Sequence, residues 1–139
     1  MKKLFFSSSS FGSDIALFLL RVGSGLMMIT HGWAKITDFS ARLTTFRDPI
    51  GLGPALSLQA TIFAEFFCAI LLTLGLMTRL SLIPLIFTMT VVTFIVHADD
   101  PFSGKEKAML FLLIFIVQFI MGPGKYSVDA QIRKRGRGY

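Results

Sequence analysis

Four long apolar runs dominate the chain, and short stretches of charged or helix-breaking residues separate them. The runs cover about residues 15–36, 55–77, 80–97 and 107–121. Each is near the roughly 20 residues that a helix needs to cross about 30 Å of hydrocarbon. The breaks read "DPIGLGP", "MTR", "ADDPFSGKEK" and "GPGKYS". This pattern predicts an all-α integral membrane protein, an antiparallel bundle of four transmembrane helices.

Composition supports lipid as the solvent for much of the surface. Of the 139 residues, 53% are hydrophobic and 16% are charged, and the mean hydropathy is +0.69. These values lie outside the range of ordinary soluble domains. Fifteen phenylalanines and seven methionines are too many for the core of a chain this small. We expect a single membrane domain over residues 1–139.

The positive charges favour cytoplasmic termini. An even number of crossings places both termini on one side, where eight basic residues lie against five on the other side. Residues 122–139 then form a basic cytoplasmic tail. Because the cations cluster at the ends of the apolar runs, anionic lipid headgroups explain the net charge of +6 better than nucleic acid does.

Several classes of site find no support in the sequence. The single Cys68 provides neither an internal disulfide nor a Cys-x-x-Cys redox pair. No zinc-type spacing and no Gly-rich phosphate loop occurs, so we predict no metal site. The opening "MKKLFF" resembles a signal peptide, but Arg21 interrupts the apolar run that follows. We expect the first run to remain as a helix and the serines at 7–10 to form a flexible lead-in.

One face of the first helix collects its charged and small residues. Steps of 100° per residue place the following on that face: Arg21, Ser24, Gly25, Met28, His31, Gly32 and Lys35. Glycines allow neighbouring helices to approach closely, and charged groups avoid acyl chains. The face is therefore predicted to point toward the other helices, with Trp33 in the interfacial aromatic belt.

Glu65 lies near the middle of the second run. An unpaired carboxylate at that depth would cost about 3 kcal/mol, so it should be neutral or paired. From their depths in an antiparallel pair, Arg21 and His31 would lie on either side of Glu65, each offset by roughly 7–9 Å. We expect Arg21 to reach Glu65 directly and His31 to reach it through a water.

His97 extends this polar set to a third helix. Thr90, Thr93 and His97 form one stripe, and His97 emerges on the membrane side of His31 and Lys35. The candidate catalytic residues are Glu65, His31 and His97, and the candidate structural or ion-pair residues are Arg21, Lys35 and Arg79. The fourth helix offers Gln118 and a row of phenylalanines, which favour packing or lipid contact.

Each of these residues also has a structural interpretation. The pair of Arg21 and Glu65 could serve only to fix the register of the helices. Either histidine could be an ordinary interfacial residue, and Lys35 is expected to extend along the helix to the headgroups. A haem between His31 and His97 is disfavoured, because two interfacial histidines arise easily without one.

The motifs together resemble the DoxX family. The resemblance covers about residues 15–132 and includes an early arginine, "HGWAK", the glutamate in "FAEFFCAILLTLGLMTR", a histidine closing the third helix, and "GPGKYSVDAQI". It implies a small four-helix protein of the bacterial plasma (inner) membrane, and relatives include the small subunit of a thiosulfate:quinone oxidoreductase. The matching positions are Arg21, His31, Gly32, Lys35, Glu65, Arg79, His97, Gly122, Pro123, Gly124, Tyr126 and Asp129.

Three functions are compatible with these features. The first is the membrane subunit of a quinone-linked oxidoreductase, in which His31 or His97 hydrogen-bonds a quinone and Glu65 relays a proton. It requires a redox partner protein to deliver electrons. The second is a non-catalytic accessory or anchoring subunit of a membrane complex. The third is a small-solute or proton-coupled transporter, which would need a homo-oligomer because no inverted repeat is visible.

Overall fold

The computed structural model describes residues 12–136, and this part of the chain is helical without any strand. The prediction of an all-α protein is confirmed. The opening "MKKLFF", the predicted serine lead-in and the last residues of the predicted tail lie outside the described residues. The helices are α1 (Ser13–Thr37), α2 (Phe39–Arg42), α3 (Pro54–Leu74), α4 (Thr78–Val96), α5 (Phe102–Met121) and α6 (Val128–Arg135).

Three helices have the length and composition of membrane spans. These are α1 with 25 residues, α3 with 21 and α4 with 19. Their outer faces expose large apolar side chains, as at Leu19 (64% exposed) and Phe94 (61%), which places them in contact with lipid. Helix α5 has 20 residues but carries charged residues at 105–107 in its first turns.

Helix boundaries differ from the predicted runs where charge or backbone geometry decides. Helix α5 begins at Phe102 because the charged residues 105–107 are good helix formers, although they interrupt an apolar run. Helix α3 ends at Leu74 because Gly75 adopts a left-handed conformation, φ 70°. Part of the predicted tail is helix α6, whose first turn is capped by the Ser127 hydroxyl, 3.1 Å from the amide of Ala130.

The hydrophobic core draws on four of the helices. Helix α1 contributes one residue, α3 and α4 contribute three each, and α5 contributes two. They are Met28, Cys68, Ala69, Leu72, Leu82, Leu85, Met89, Phe111 and Phe115. Two members of the phenylalanine row of α5, Phe111 and Phe115, therefore pack inward, while Phe119 is exposed.

Glycines bring α1 and α3 into direct contact, as the sequence predicted. A Cβ atom on Gly32 would lie 2.7 Å from Cβ of Phe66, and one on Gly25 would lie 2.2 Å from Oγ1 of Thr73. Gly25 and Gly32, seven residues apart on α1, thus meet Thr73 and Phe66, which are seven residues apart on α3 in the opposite order. This antiparallel register fixes which side chains of the two helices meet.

Candidate functional site

A cavity of about 810 Å³ lies at the end of the molecule where α1 and α4 finish. Its walls come from the second halves of α1 and α4, the first halves of α3 and α5, and the connection between α2 and α3. The sequence-predicted residues His31, Lys35, Glu65 and His97 all line it. The structure therefore brings the candidate catalytic residues together, whereas Arg21 and Arg79 lie outside this cavity.

The polar centre of the cavity is an ion pair between Lys35 and Glu65. Lys35 Nζ donates to Oε2 of Glu65, and the glutamate is only 4% exposed. Nζ also lies 3.5 Å from the carbonyl of His31. The interpretation of Lys35 as a side chain that extends to the headgroups is therefore wrong, since its ammonium group turns inward to the buried carboxylate.

The expected pair of Arg21 and Glu65 is also wrong. Arg21 is 2% exposed, and its guanidinium group donates instead to the carbonyls of Pro123, through Nη1, and Tyr126, through Nη2 at 2.5 Å. The contact of Gly32 with Phe66 places Glu65 at the depth of the end of α1. Arg21 precedes Lys35 by 14 residues on α1, so the two residues are about 21 Å apart along the helix axis.

Glu65 lies within a π-helical segment of α3, Phe63–Cys68. A second π-helical segment, Val92–Val96, ends α4 immediately before His97. In a π-helical segment the backbone hydrogen bonds span five residues and not four, which widens the helix and changes the directions of its side chains. Such segments are frequent at functional sites. No sequence signal that we used distinguishes them from α-helix.

The two histidines occupy different environments on the cavity wall. The ring of His31 meets the ring of Phe111 edge-on, with centroids 6.0 Å apart. The Nδ1 atom of His97 lies 2.6 Å from Oδ2 of Asp100, and this hydrogen bond holds the pKa of Asp100 below its ordinary value. Because Nδ1 is engaged, Nε2 is the nitrogen of His97 that is left for a ligand or proton.

The connection between α2 and α3 closes one side of the cavity, which the sequence reasoning missed. Arg47 Nη1 donates to the carbonyl of Val96 at 3.0 Å. The carboxylate of Asp48 accepts from the amides of Leu52 and Gly53 and from the hydroxyl of Ser57, at 2.7–2.8 Å. These bonds, that of Ser57 foremost, lower the pKa of Asp48. An aspartate three residues before the first glycine of a "GLG" turn is the signal that could have found this loop.

The electrostatics of the cavity are positive. Its lining residues include four cations and one carboxylate, namely Lys35, Arg42, Arg47 and Lys107 against Glu65. The remaining walls are largely apolar, with Met28, Phe63, Phe87 and Phe111 among the lining residues. The site can therefore hold an apolar ring and donate hydrogen bonds to oxygen atoms that carry partial negative charge.

Arg79 and Asp129 form hydrogen bonds at the opposite end of the helices. Arg79 Nε donates to the carbonyl of Phe119 at 3.2 Å, near the end of α5. The carboxylate of Asp129 accepts from the amides of Met77 and Thr78 and from the Thr78 hydroxyl, at 2.8–2.9 Å. The bonds of Asp129 join α6 to the turn after α3, whereas those of Arg21 join α1 to the segment after α5.

Buried polar residues join α1 to α5 as well. Gln118 is 1% exposed, and its Nε2 atom donates to the hydroxyl of Ser24 at 2.9 Å.

Across residues 12–136, no three His, Cys, Asp or Glu side chains are grouped so that they could hold a metal ion.

Comparisons with known proteins place this chain among small membrane proteins. Residues 16–98 match the DoxX family. The chain is 25% identical to an inner membrane protein, YqjF, of Escherichia coli strain K12, over 88% of this chain and 95% of the relative. It is 30% identical to an uncharacterized protein of Haemophilus influenzae, over 86% of this chain and 92% of that one. No solved structure shows significant similarity.

The matched segment contains the whole Lys35–Glu65 pair and both histidines of the cavity. It spans more than half of the 139 residues. The chain belongs to the DoxX family.

Proposed function

We propose that this protein is the membrane subunit of a quinone-linked oxidoreductase and that the 810 Å³ cavity receives the quinone headgroup. The observation that carries the proposal is the convergence of His31, His97 and the Lys35–Glu65 pair on one largely apolar cavity. In this proposal the electrons come from a redox partner protein.

The residues present fit a quinone. The cavity volume lies within the range of small-molecule sites. Aromatic and methionine side chains, among them Phe63, Phe87 and Phe111, suit the faces of an apolar ring. Donors are available on two elements of the wall, α1 and the end of α4, for the two carbonyl oxygens of a quinone.

In this proposal each polar residue has one task. A bound quinone would accept two electrons from the partner and two protons on its oxygens. His97, in its doubly protonated form, donates from Nδ1 to Asp100 and from Nε2 to one oxygen of the quinone. Glu65 relays protons toward the site, and Lys35 holds its carboxylate in place through the ion pair. The surplus of cations stabilises negative charge that develops on oxygen.

The membrane arrangement is part of the same proposal. We infer that α5 crosses the membrane together with α1, α3 and α4, which gives an antiparallel four-transmembrane-helix bundle. The name of the Escherichia coli relative supports the bacterial inner membrane as the location. The excess of basic residues on the side of the two termini, eight against five, supports cytoplasmic termini. A homo-oligomer is compatible with this arrangement.

A non-catalytic accessory role is the second candidate. It is favoured by one observation, that Glu65 is already paired with Lys35 and so has a structural reason to be present. In that case the ion pair fixes the register of α1 against α3, and the cavity is a consequence of packing.

Quinone-dependent activity separates the two candidates. The protein is purified from its native membrane in mild detergent with its partners, and quinone reduction is compared among Glu65→Gln, His97→Ala and the parent. We expect both variants to lose at least tenfold in rate. Thr30→Ala is the control, because Thr30 lies on α1 outside the cavity, exposed and bonded to the carbonyl of Met27. Full activity in both variants contradicts the proposal.

A further inference from the structure

A second depression, of about 730 Å³, lies at the opposite end of the helices from the proposed quinone site. The start of α1, the turn between α3 and α4, and residues 121–134 enclose it. It shares no lining residue with the larger cavity. Its chemistry therefore needs a separate explanation.

Cations outnumber carboxylates in this depression. Four basic side chains line it: Arg79, Lys125, Arg133 and Lys134. Within residues 12–136, none of the four forms an ion pair. Arg79 donates only to backbone carbonyls, those of Phe119 and Ile120.

The two carboxylates of the depression already accept hydrogen bonds from other groups of the protein. Asp129 accepts three hydrogen bonds from Met77 and Thr78. Asp14 accepts from the amide of Lys125 at 3.1 Å. Because both have partners in the fold, they compete weakly for the cations, and an added anion would meet a net positive surface.

The depression also has an apolar side that faces the membrane. Leu80 is 56% exposed and Met121 is 55% exposed, and both line it beside Leu17. Leu80 lies at the start of a candidate membrane span. A ligand that fits both sides has an anionic head and a hydrocarbon chain.

We propose that this depression binds the phosphate group of an anionic phospholipid, with the acyl chain along Leu80 and Met121. The basic residues from the start of α4, from the segment after α5 and from α6 hold the phosphate, so that one lipid molecule joins these elements. The site is independent of the proposed quinone reduction. In this proposal the four cations bind one lipid molecule, which differs from a diffuse attraction between the basic tail and the membrane surface.

Lipid titration of the purified full-length protein in neutral detergent tests this proposal. Fluorescent phosphatidylglycerol is the probe, with phosphatidylcholine of the same chains and inorganic phosphate as comparisons. Arg133→Gln and Arg135→Gln form a matched pair, because both remove one charge from α6 but only Arg133 lines the depression. We expect Arg133→Gln to weaken phosphatidylglycerol binding about fivefold, the equivalent of about 1 kcal/mol, and Arg135→Gln to leave it within twofold.

Three results would overturn the proposal. Equal loss in the two variants would show that only the overall charge of α6 attracts the lipid. Equal binding of phosphatidylcholine would show that the anionic head is not recognised. Displacement by inorganic phosphate at the same concentration as by the lipid would assign the site to a free anion.

Discussion

At the residue scale, the Lys35–Glu65 ion pair is the feature with the largest expected effect on stability. Replacing Lys35 by Met leaves a buried carboxylate without its partner, which should lower the free energy of unfolding by about 3 kcal/mol. Thermal unfolding in detergent measures this loss. The double variant Lys35→Met/Glu65→Gln should recover most of it, because no buried charge is left.

Lys107→Met provides the matched control for Lys35→Met. Lys107 lines the same cavity but is exposed and forms no ion pair within the described residues. We expect a change within about 0.5 kcal/mol. If Lys35→Met unfolds at the temperature of the parent, the ion pair contributes no stability.

Asp129 makes the free energy of unfolding depend on pH, and the sign of that dependence follows from its pKa. Burial favours its neutral form, but hydrogen bonds from Thr78 and Met77 and the charge of Arg21 outweigh burial, so the pKa of Asp129 lies below its ordinary value of 3.8. The carboxylate therefore contributes its full stability above that value, and the contribution is lost as the pH falls through the lowered pKa.

Asp129→Asn should accordingly lower the free energy of unfolding by about 1 kcal/mol at neutral pH, since the side chain is partly exposed. The difference from the parent should shrink at about pH 3 and below. Unfolding curves at the two pH values measure it. A difference that grows on acidification would contradict the assignment.

The sequence correctly predicted that His31, Glu65 and His97 lie around one pocket, but it predicted the wrong ion-pair partner for Glu65. The polar face of α1, the buried Glu65 and the terminal His97 were visible because lipid excludes such groups. The pairing depended on the depth of Glu65. That depth is set by Gly32 against Phe66 and not by the ends of the apolar run, so Lys35 and not Arg21 is its partner.

At the element scale, the contact between α1 and α3 controls the geometry of the site. Gly32→Ala would place a Cβ atom 2.7 Å from Cβ and the amide nitrogen of Phe66. We expect a loss of about 1–3 kcal/mol in the free energy of unfolding, because the two helix backbones must move apart. The same shift would separate Lys35 from Glu65 and lower quinone reduction. Thermal unfolding and activity measure the two effects.

Gly23→Ala is the control on the same helix. Its Cβ atom would have no neighbour within 4 Å, so the substitution should be neutral or stabilise the helix by up to about 1 kcal/mol. If the two glycine variants behave alike, close approach at Gly32 does not hold the helices in register.

Apolar periodicity could not predict the elements that depend on local hydrogen bonding of the backbone. The π-helical segments at Phe63–Cys68 and Val92–Val96 have the composition of ordinary helix. Helix α6 is polar, and its start is determined by the Ser127 cap. The loop after α2 is ordered by the hydrogen bonds of Asp48, which involve residues up to nine positions away.

At the scale of the whole molecule, the number of membrane crossings is the first quantity to test. In a Cys68→Ser background, Asp99→Cys and Arg135→Cys place one thiol before α5 and one after it. If α5 crosses the membrane, an impermeant thiol reagent added from one side should label only one of the two. Labelling of both from the same side would show that α5 does not cross.

The central claim is that the cavity around Lys35 and Glu65 binds quinone. It is tested most directly by the quinone content of the purified protein, compared between the parent and Lys35→Met/Glu65→Gln after unfolding temperatures have shown that both are folded. The account predicts about one quinone per chain in the parent and at least a tenfold lower content in the double variant. Quinone-free parent protein, or equal quinone content in the two, would contradict it.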